Sequence, residues 1–337
     1  MARRPGLEGR RVAERPKALV TAPFRGEGLA TLRTIADVEY DPWIEQQPLR
    51  ILDGEKLAAR IDASGADILI VESDFVNGPV FDRSLRVIGS CRGDPNNVDV
   101  EAATRAGIPV LHAPGRNADA VAEMTLALLF AVNRFVVAAD RDVRQGQVYR
   151  DGKIPYQRFR AWQLAGRTAG IVGLGAVGRA TAWRLAGIGM RVLSFDPYNS
   201  DATHSSLDEM LPECDVVSMH AVVTPETNEM MNAARFGRMK PGAIYLNTAR
   251  AMLHDLEALT AVLQSGHLAG AGLDHFKGEN LSTEHPLVGM ANVVLTPHIG
   301  GATYDTEANH SKLIADDVAR ILAGDKPVNC VNPEVLA

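Results

Sequence analysis

Short, continuously apolar runs recur between Lys17 and Pro114: Ala18-Leu19-Val20, Ile68-Leu69-Ile70-Val71, Val87-Ile88-Gly89 and Pro109-Val110-Leu111. Each is too brief for a helix and does not alternate with polar residues, which is the form of a strand covered on both faces. Helical stretches lie between them, so the pattern predicts a parallel sheet with helices packed on it. After Pro114-Gly115 a long helix is expected over residues 117–139. Its apolar positions Val121, Met124, Leu126, Leu128, Leu129, Val132 and Val136 fall on more than one side, so it must be buried nearly all round, by internal packing or by a dimer interface. A polar stretch with arginine and tyrosine, residues 141–160, leads to six further strand candidates at 169–172, 190–195, 215–219, 243–246, 271–273 and 293–295. Six strands match the two mononucleotide halves of a doubly wound sheet. A last helix over residues 306–322 and an extended stretch over 327–333 follow, with no internal repeat or low-complexity segment.

Between the first of those six strands and the helical residues 179–185 stands Gly173-Leu174-Gly175-Ala176-Val177-Gly178. Thirty glycines make such a motif weak on its own, so its context carries the reading. Here a strand reverses into a helix, the backbone must approach a pyrophosphate, and the helix must pack closely on the sheet, so Gly173, Gly175 and Gly178 each answer a separate steric demand. The helix start offers unpaired N–H groups to phosphate oxygens. The next strand ends in Asp196, at the spacing of the acid that binds an adenosine ribose. Pro197, Tyr198, Asn199 and Ser200 follow it, with no cation for a 2′-phosphate, which favours NAD over NADP.

Composition narrows the class without changing it. Length and 46% hydrophobic content suit two domains with well-buried cores, and 35 basic against 41 acidic residues leave a charge of −6, so neither nucleic acid nor an anionic membrane is an expected partner. Cys91, Cys214 and Cys330 are odd in number and far apart, fitting reduced thiols in a cytoplasmic enzyme rather than a disulfide framework or a zinc site, and no metal is expected. Residues 1–17 are arginine-rich, contain Glu8 and Glu14 and lack an apolar core, so they read as a frayed tail and not a secretory signal. The apolar run 124–132 is far too short to span a bilayer.

Ligands of parallel sheets bind beyond the carboxyl ends of the strands. Arg250, Asp274, Glu279 and His298 all follow such ends. A lone arginine or histidine there is more often an ion pair or a satisfied polar residue, and a lone glutamate says less still. Together they are what hydride transfer to a 2-oxo acid requires: a planar cation for the carboxylate and a proton donor beside the carbonyl oxygen.

The segments 97–110, 117–128, 173–178, 223–232, 239–250, 271–276 and 296–303 agree in order and spacing with one family. The chain resembles the D-isomer-specific 2-hydroxyacid dehydrogenases, which include 3-phosphoglycerate dehydrogenases, glyoxylate/hydroxypyruvate reductases and D-lactate dehydrogenases. The resemblance implies an α/β protein with an inserted Rossmann doubly wound NAD-binding domain, residues 115–303, and a discontinuous flavodoxin-like substrate domain, residues 1–114 and 304–337. It implies catalysis in the cleft between them and a homodimer acting on a 2-hydroxy or 2-oxo acid. Arg250 corresponds to the substrate-binding arginine, His298 to the general acid/base and Glu279 to its paired carboxylate, which favours the imidazolium that protonates the nascent alkoxide. Ala176, Val177 and Asp196 would face the cofactor's pyrophosphate and ribose, and Thr248 and Asp274 its nicotinamide side. Backbone amides of the loop Ser90-Cys91-Arg92-Gly93-Asp94-Pro95 would hold the substrate carboxylate.

This chain departs from the family pattern in places. Pro95 and Asn96 lengthen that loop by one residue, and Arg92 stands where a small or apolar residue is usual, which suggests contact with a second anionic or hydroxyl-rich group on a larger substrate. Ala251, His254 and Asn280 replace a glycine, an apolar residue and a proline, and bear on substrate preference. His275 could be mistaken for the catalytic base, but the matching motif points to His298. Formate dehydrogenase is disfavoured because that branch lacks the partner represented by Glu279. An NAD-binding regulatory scaffold or corepressor without turnover is the alternative from another class. The chain ends at Ala337, so no serine-sensing regulatory domain is expected.

Overall fold

In a computed structural model that describes residues 15–336, the chain forms two compact units, residues 15–116 with 303–336 and residues 117–302. Residues 1–14 of the expected tail lie outside the described residues, and Lys17 already opens the first strand.

The first unit begins β1 (Lys17–Val20), α1 (Gly26–Ile35), β2 (Asp37–Tyr40), α2 (Gly54–Ser64), β3 (Ile68–Val71), β4 (Val87–Ser90), α3 (Val100–Arg105) and β5 (Val110–Leu111). Its strands are all parallel, in the order β2-β1-β3-β4-β5, which is the flavodoxin-like arrangement. Alternate residues supply two cores. Leu19, Leu69, Val71 and Ile88 pack with Leu57 and Ile61 of α2, while Ala18, Val20, Ile68 and Ile70 pack with Leu32 of α1. The sequence pattern missed β2, because Asp-Val-Glu-Tyr is a half-exposed edge strand whose charges conceal its alternation.

The second unit runs α4 (Ala118–Asn133), α5 (Val136–Arg144), α6 (Pro155–Arg158), β6 (Thr168–Val172), α7 (Ala176–Gly187), β7 (Arg191–Phe195), α8 (Leu207–Met210), β8 (Val216–Met219), α9 (Ala233–Arg238), β9 (Ile244–Asn247), α10 (Leu256–Gln264), β10 (Gly270–Leu273), α11 (Pro286–Gly289) and β11 (Val293–Leu295). The chain then returns to the first unit through α12 (Tyr304–Ala323). There Ile314 and Val318 complete the core on the α1 face, and the extended residues that follow pair with β5 through Cys330 and Val331.

The parallel sheet of the second unit has the order β11-β10-β9-β8-β6-β7. The six strands are those expected, but they do not divide into equal halves. The third position of the first half is reduced to a single bridge of His204 beside Phe195, since the polar segment 199–206 contributes little apolar side chain to hold a full strand. The direction of winding reverses between β6 and β8, and the crevice beyond their ends is where a nucleotide binds.

The expected helix 117–139 is two helices. Phe135 takes a left-handed backbone (φ 54°) and stacks near Phe159, so α4 stops and α5 leaves at 62°. Nor is α4 buried all round: Val121, Thr125, Leu128, Leu129 and Val132 face the core, and Phe130 is exposed. Gly270 and Gly272 let it lie against β10, because a methyl at either would overlap Val132 or Leu128. Among the described residues no single helix is long and apolar enough to cross a membrane; α4 and α5 pass that test only as a bent pair. The three cysteines are unpaired thiols, and burial pushes Cys214 up to about 12.

Candidate active site

The dinucleotide turn sits at the reversal between β6 and β8. Gly173 has φ 97°, and a Cβ there would lie 2.7 Å from the backbone of His220 and Ala221, which follow β8. A methyl on Gly178 would overlap the Gly173 carbonyl, so this glycine lets α7 close on its own turn. Gly175 differs: a Cβ would meet nothing within 4 Å, so the protein itself does not demand glycine there. A cradle that a Cβ would fill, at the start of a helix whose first-turn amides, Ala176 and Val177, have no partner within the helix, fits a pyrophosphate. Asp196 accepts from the backbone N–H of Leu174 (2.7 Å) and of Tyr198 (2.9 Å), one per oxygen, which orients the carboxylate and leaves lone pairs for two hydroxyls.

These contacts separate two substitutions. Gly175→Ala should leave the melting temperature unchanged while NADH affinity, read by fluorescence titration, falls about 10-fold or more through a clash with the bound phosphate alone. Gly178→Ala should lower the melting temperature as well, because its methyl collides with the protein.

A second group gathers beyond β9, β10 and β11. His298 Nδ1 lies 3.0 Å from Glu279 Oε1. Both residues have left-handed backbones, φ 56° and 57°, which side-chain-bearing residues rarely adopt and which cluster at functional sites. Asp274, fully buried, accepts from Thr296 Oγ1 (2.6 Å), Ile299 N (3.0 Å) and Gly300 N (2.7 Å), and so pins the loop that carries His298. Its carboxylate is therefore engaged chiefly with its own protein. Thr248 is buried, its hydroxyl 2.8 Å from that of Thr125.

Arg250 is exposed, donates to the Ala249 carbonyl, and forms no ion pair among the described residues. Its turn is built by a residue the sequence reading passed over. Asn247 donates to the Arg250 carbonyl (2.8 Å), accepts from Ala249 N (3.0 Å) and lies 2.9 Å from His254 Nδ1. That explains the departure at His254, whose buried ring, pushed down to about 4 by desolvation, is a neutral partner for this asparagine. The positions Asn247 and His254 could have been found as polar residues at the end of an otherwise apolar strand and in the turn after it.

His275 packs against His298, ring centroids 3.8 Å apart. Burial first, then the neighbouring His298 and Arg250, push it down to about 4.

In the first unit, the loop after β4 is only partly as expected. Ser90 is fully buried and its hydroxyl donates to Asn97 (2.9 Å), so it shapes the loop from beneath. Arg92 likewise holds its own surroundings: Nε donates to the Glu72 carbonyl (2.5 Å) and Nη1 to Asn96 Oδ1 (2.6 Å). The added Asn96 thus serves the guanidinium. Gly93 is exposed and its N–H makes no hydrogen bond among the described residues, which suits an amide that receives a carboxylate.

A Rossmann unit with a paired histidine and glutamate and an unpaired arginine at its strand ends defines a nicotinamide-dependent oxidoreductase. The sequence profile of the D-isomer specific 2-hydroxyacid dehydrogenase NAD binding domain matches residues 126–300. The chain is 36% identical over 332 residues to a glyoxylate reductase of Thermofilum pendens, covering 96% of each protein. It is 35% identical to the glyoxylate reductase of Pyrococcus furiosus, covering 96% of this chain and 97% of that one. The crystal structure of the TT0316 protein from Thermus thermophilus superimposes with a TM-score of 0.79 at 38% identity, over 94% of this chain and 99% of that one. The chain belongs to the D-isomer-specific 2-hydroxyacid dehydrogenase family, binds NAD and transfers hydride between it and 2-hydroxy or 2-oxo acids.

Proposed function

We propose that this enzyme reduces glyoxylate and closely related small 2-oxo acids, with Arg250, Glu279 and His298 as its chemical residues. The observation that carries the assignment is the 3.0 Å contact between His298 Nδ1 and Glu279 Oε1, which leaves Nε2 as the ring atom free to exchange a proton with substrate. Bound NADH supplies the hydride. As negative charge grows on the carbonyl oxygen, the His298 imidazolium delivers its Nε2 proton, while Glu279 keeps the ring oriented and balances its charge. In oxidation the neutral ring takes the hydroxyl proton. Arg250 holds the carboxylate through its planar fork. Gly173, Gly175, Ala176, Val177, Gly178 and Asp196 hold the cofactor's phosphates and ribose, with Thr248 and Asp274 beside its nicotinamide end. The Gly93 amide receives the substrate carboxylate.

Glyoxylate is the first candidate because glyoxylate reductases align over nearly the whole chain and Arg92 is engaged by Glu72 and Asn96. NADH oxidation is to be followed with glyoxylate, hydroxypyruvate, phosphohydroxypyruvate and longer sugar-derived 2-oxo acids. Turnover is expected with glyoxylate and with hydroxypyruvate. Failure with every acid would favour a regulatory NAD-binding protein instead, and a preference for the phosphorylated acid would restore the larger-substrate reading.

We assign the working form as a homodimer of cytoplasmic location. Val136, Val137, Val143, Tyr149, Ile154, Tyr156 and Trp162 are all exposed along one stretch of the second unit, apolar side chains that a dimer interface would cover. Sedimentation should give twice the chain mass, and Val143→Asp should shift it toward the monomer. Three unpaired thiols suit a reducing compartment.

A further inference from the structure

His275 has no part in the chemistry above, yet it lies against the ring of His298 with planes 49° apart. One donor atom each from His275, Glu279 and His298 falls within 4.8 Å of the other two. We propose that these three side chains form a binding site for a borderline divalent transition cation, zinc foremost, and that the enzyme is inactive while the site is filled.

The donor set decides the class of ion. Two imidazoles and one carboxylate are ligands for zinc, copper or nickel, whereas magnesium and calcium favour sets made of oxygen alone. In tetrahedral zinc sites, bonds of about 2.0–2.2 Å put ligand atoms roughly 3.4 Å apart. The Glu279–His298 pair is already at 3.0 Å, and the remaining approach needs only side-chain rotation. Glu279 and His298 can supply it, with side chains 62% and 44% exposed, while buried His275 is the fixed anchor. Glu279 and Asp274 favour a cation here; Arg250 opposes it. Three ligands leave one position open for water or for a substrate oxygen.

Occupancy removes the hydrogen bond between Glu279 and His298 and ties up the ring that exchanges the proton. Inhibition therefore rests on the role proposed for His298; binding does not. Two readouts keep them apart. Zinc binding to the chelator-treated full-length protein is measured by competition with a colorimetric zinc chelator, and NADH oxidation is measured against zinc concentration, each variant being compared with its own zinc-free rate.

One high-affinity zinc per chain is expected, with inhibition reversed by EDTA and absent with equal magnesium. His275→Phe, which preserves ring packing, should lose that zinc and raise the half-inhibitory concentration by about 10-fold or more. Glu279→Gln, at an exposed position that does not threaten folding, should weaken zinc binding in the same chelator assay. Equal zinc binding by wild type and both variants, or none by wild type, overturns the site. Binding lost in the variants but without inhibition in wild type overturns the inactive state and the role given to His298, and leaves the ligands standing.

Discussion

His298→Ala should lower kcat by about 10²- to 10⁴-fold, the ordinary contribution of a positioned acid or base, while NADH binds as tightly as before. The two effects separate because the structure separates the groups. The phosphate cradle and Asp196 are built by β6, α7 and β7, and among the described residues none of their hydrogen bonds involves the 296–300 loop. Asp274 pins that loop through Thr296 Oγ1 and the amides of Ile299 and Gly300, contacts that do not depend on the imidazole. Loss of the ring therefore removes the proton donor and its packing on His275, and leaves the cofactor cradle untouched. Stopped-flow transfer from NADH and fluorescence titration of the cofactor check the two halves independently. A fall in NADH affinity comparable to the fall in turnover would place His298 in the cofactor site and remove it from the acid's role.

What could be read from the sequence followed from how each signal is encoded. Strands covered on both faces are written as unbroken apolar runs, so ten of the strands from β1 to β11 were legible, and only the charged edge strand β2 was not. The glycine turn is legible because each glycine answers a local demand, and Gly173 and Gly178 meet it with clashes that the structure makes explicit. The break at Phe135 was invisible, since a left-handed phenylalanine is enforced by packing near Phe159 and carries no glycine or proline mark. In the substrate loop, Arg92 donates to Glu72 and Asn96, partners that its residue type does not announce. The support of the site was partly hidden: Asp274 stood out as a polar residue at a strand end, but its hold on the 296–300 loop, and the whole part played by Asn247, lie in hydrogen bonds that residue type does not announce.

Arg250→Lys should fail to rescue the loss seen in Arg250→Ala, and that failure is more informative than the loss itself. Truncation to alanine should lower kcat/KM for glyoxylate by about 10³-fold, the scale expected when charge-assisted hydrogen bonds of a bidentate pair are removed. A lysine keeps the charge but concentrates it on one ammonium, with no fork to fix the plane of a carboxylate. Position matters as much as charge here, because the Arg250 turn is held by Asn247 through both the Arg250 carbonyl and the Ala249 amide. The scaffold thus stays in place when the side chain is exchanged, and a mobile ammonium cannot recover the geometry. If the arginine serves binding and orientation together, the lysine variant should show a raised KM and a depressed kcat. Should lysine restore kcat/KM to near the wild-type value, charge alone would suffice, and the carboxylate would have to be oriented by the backbone amides of Gly93 and its neighbours instead.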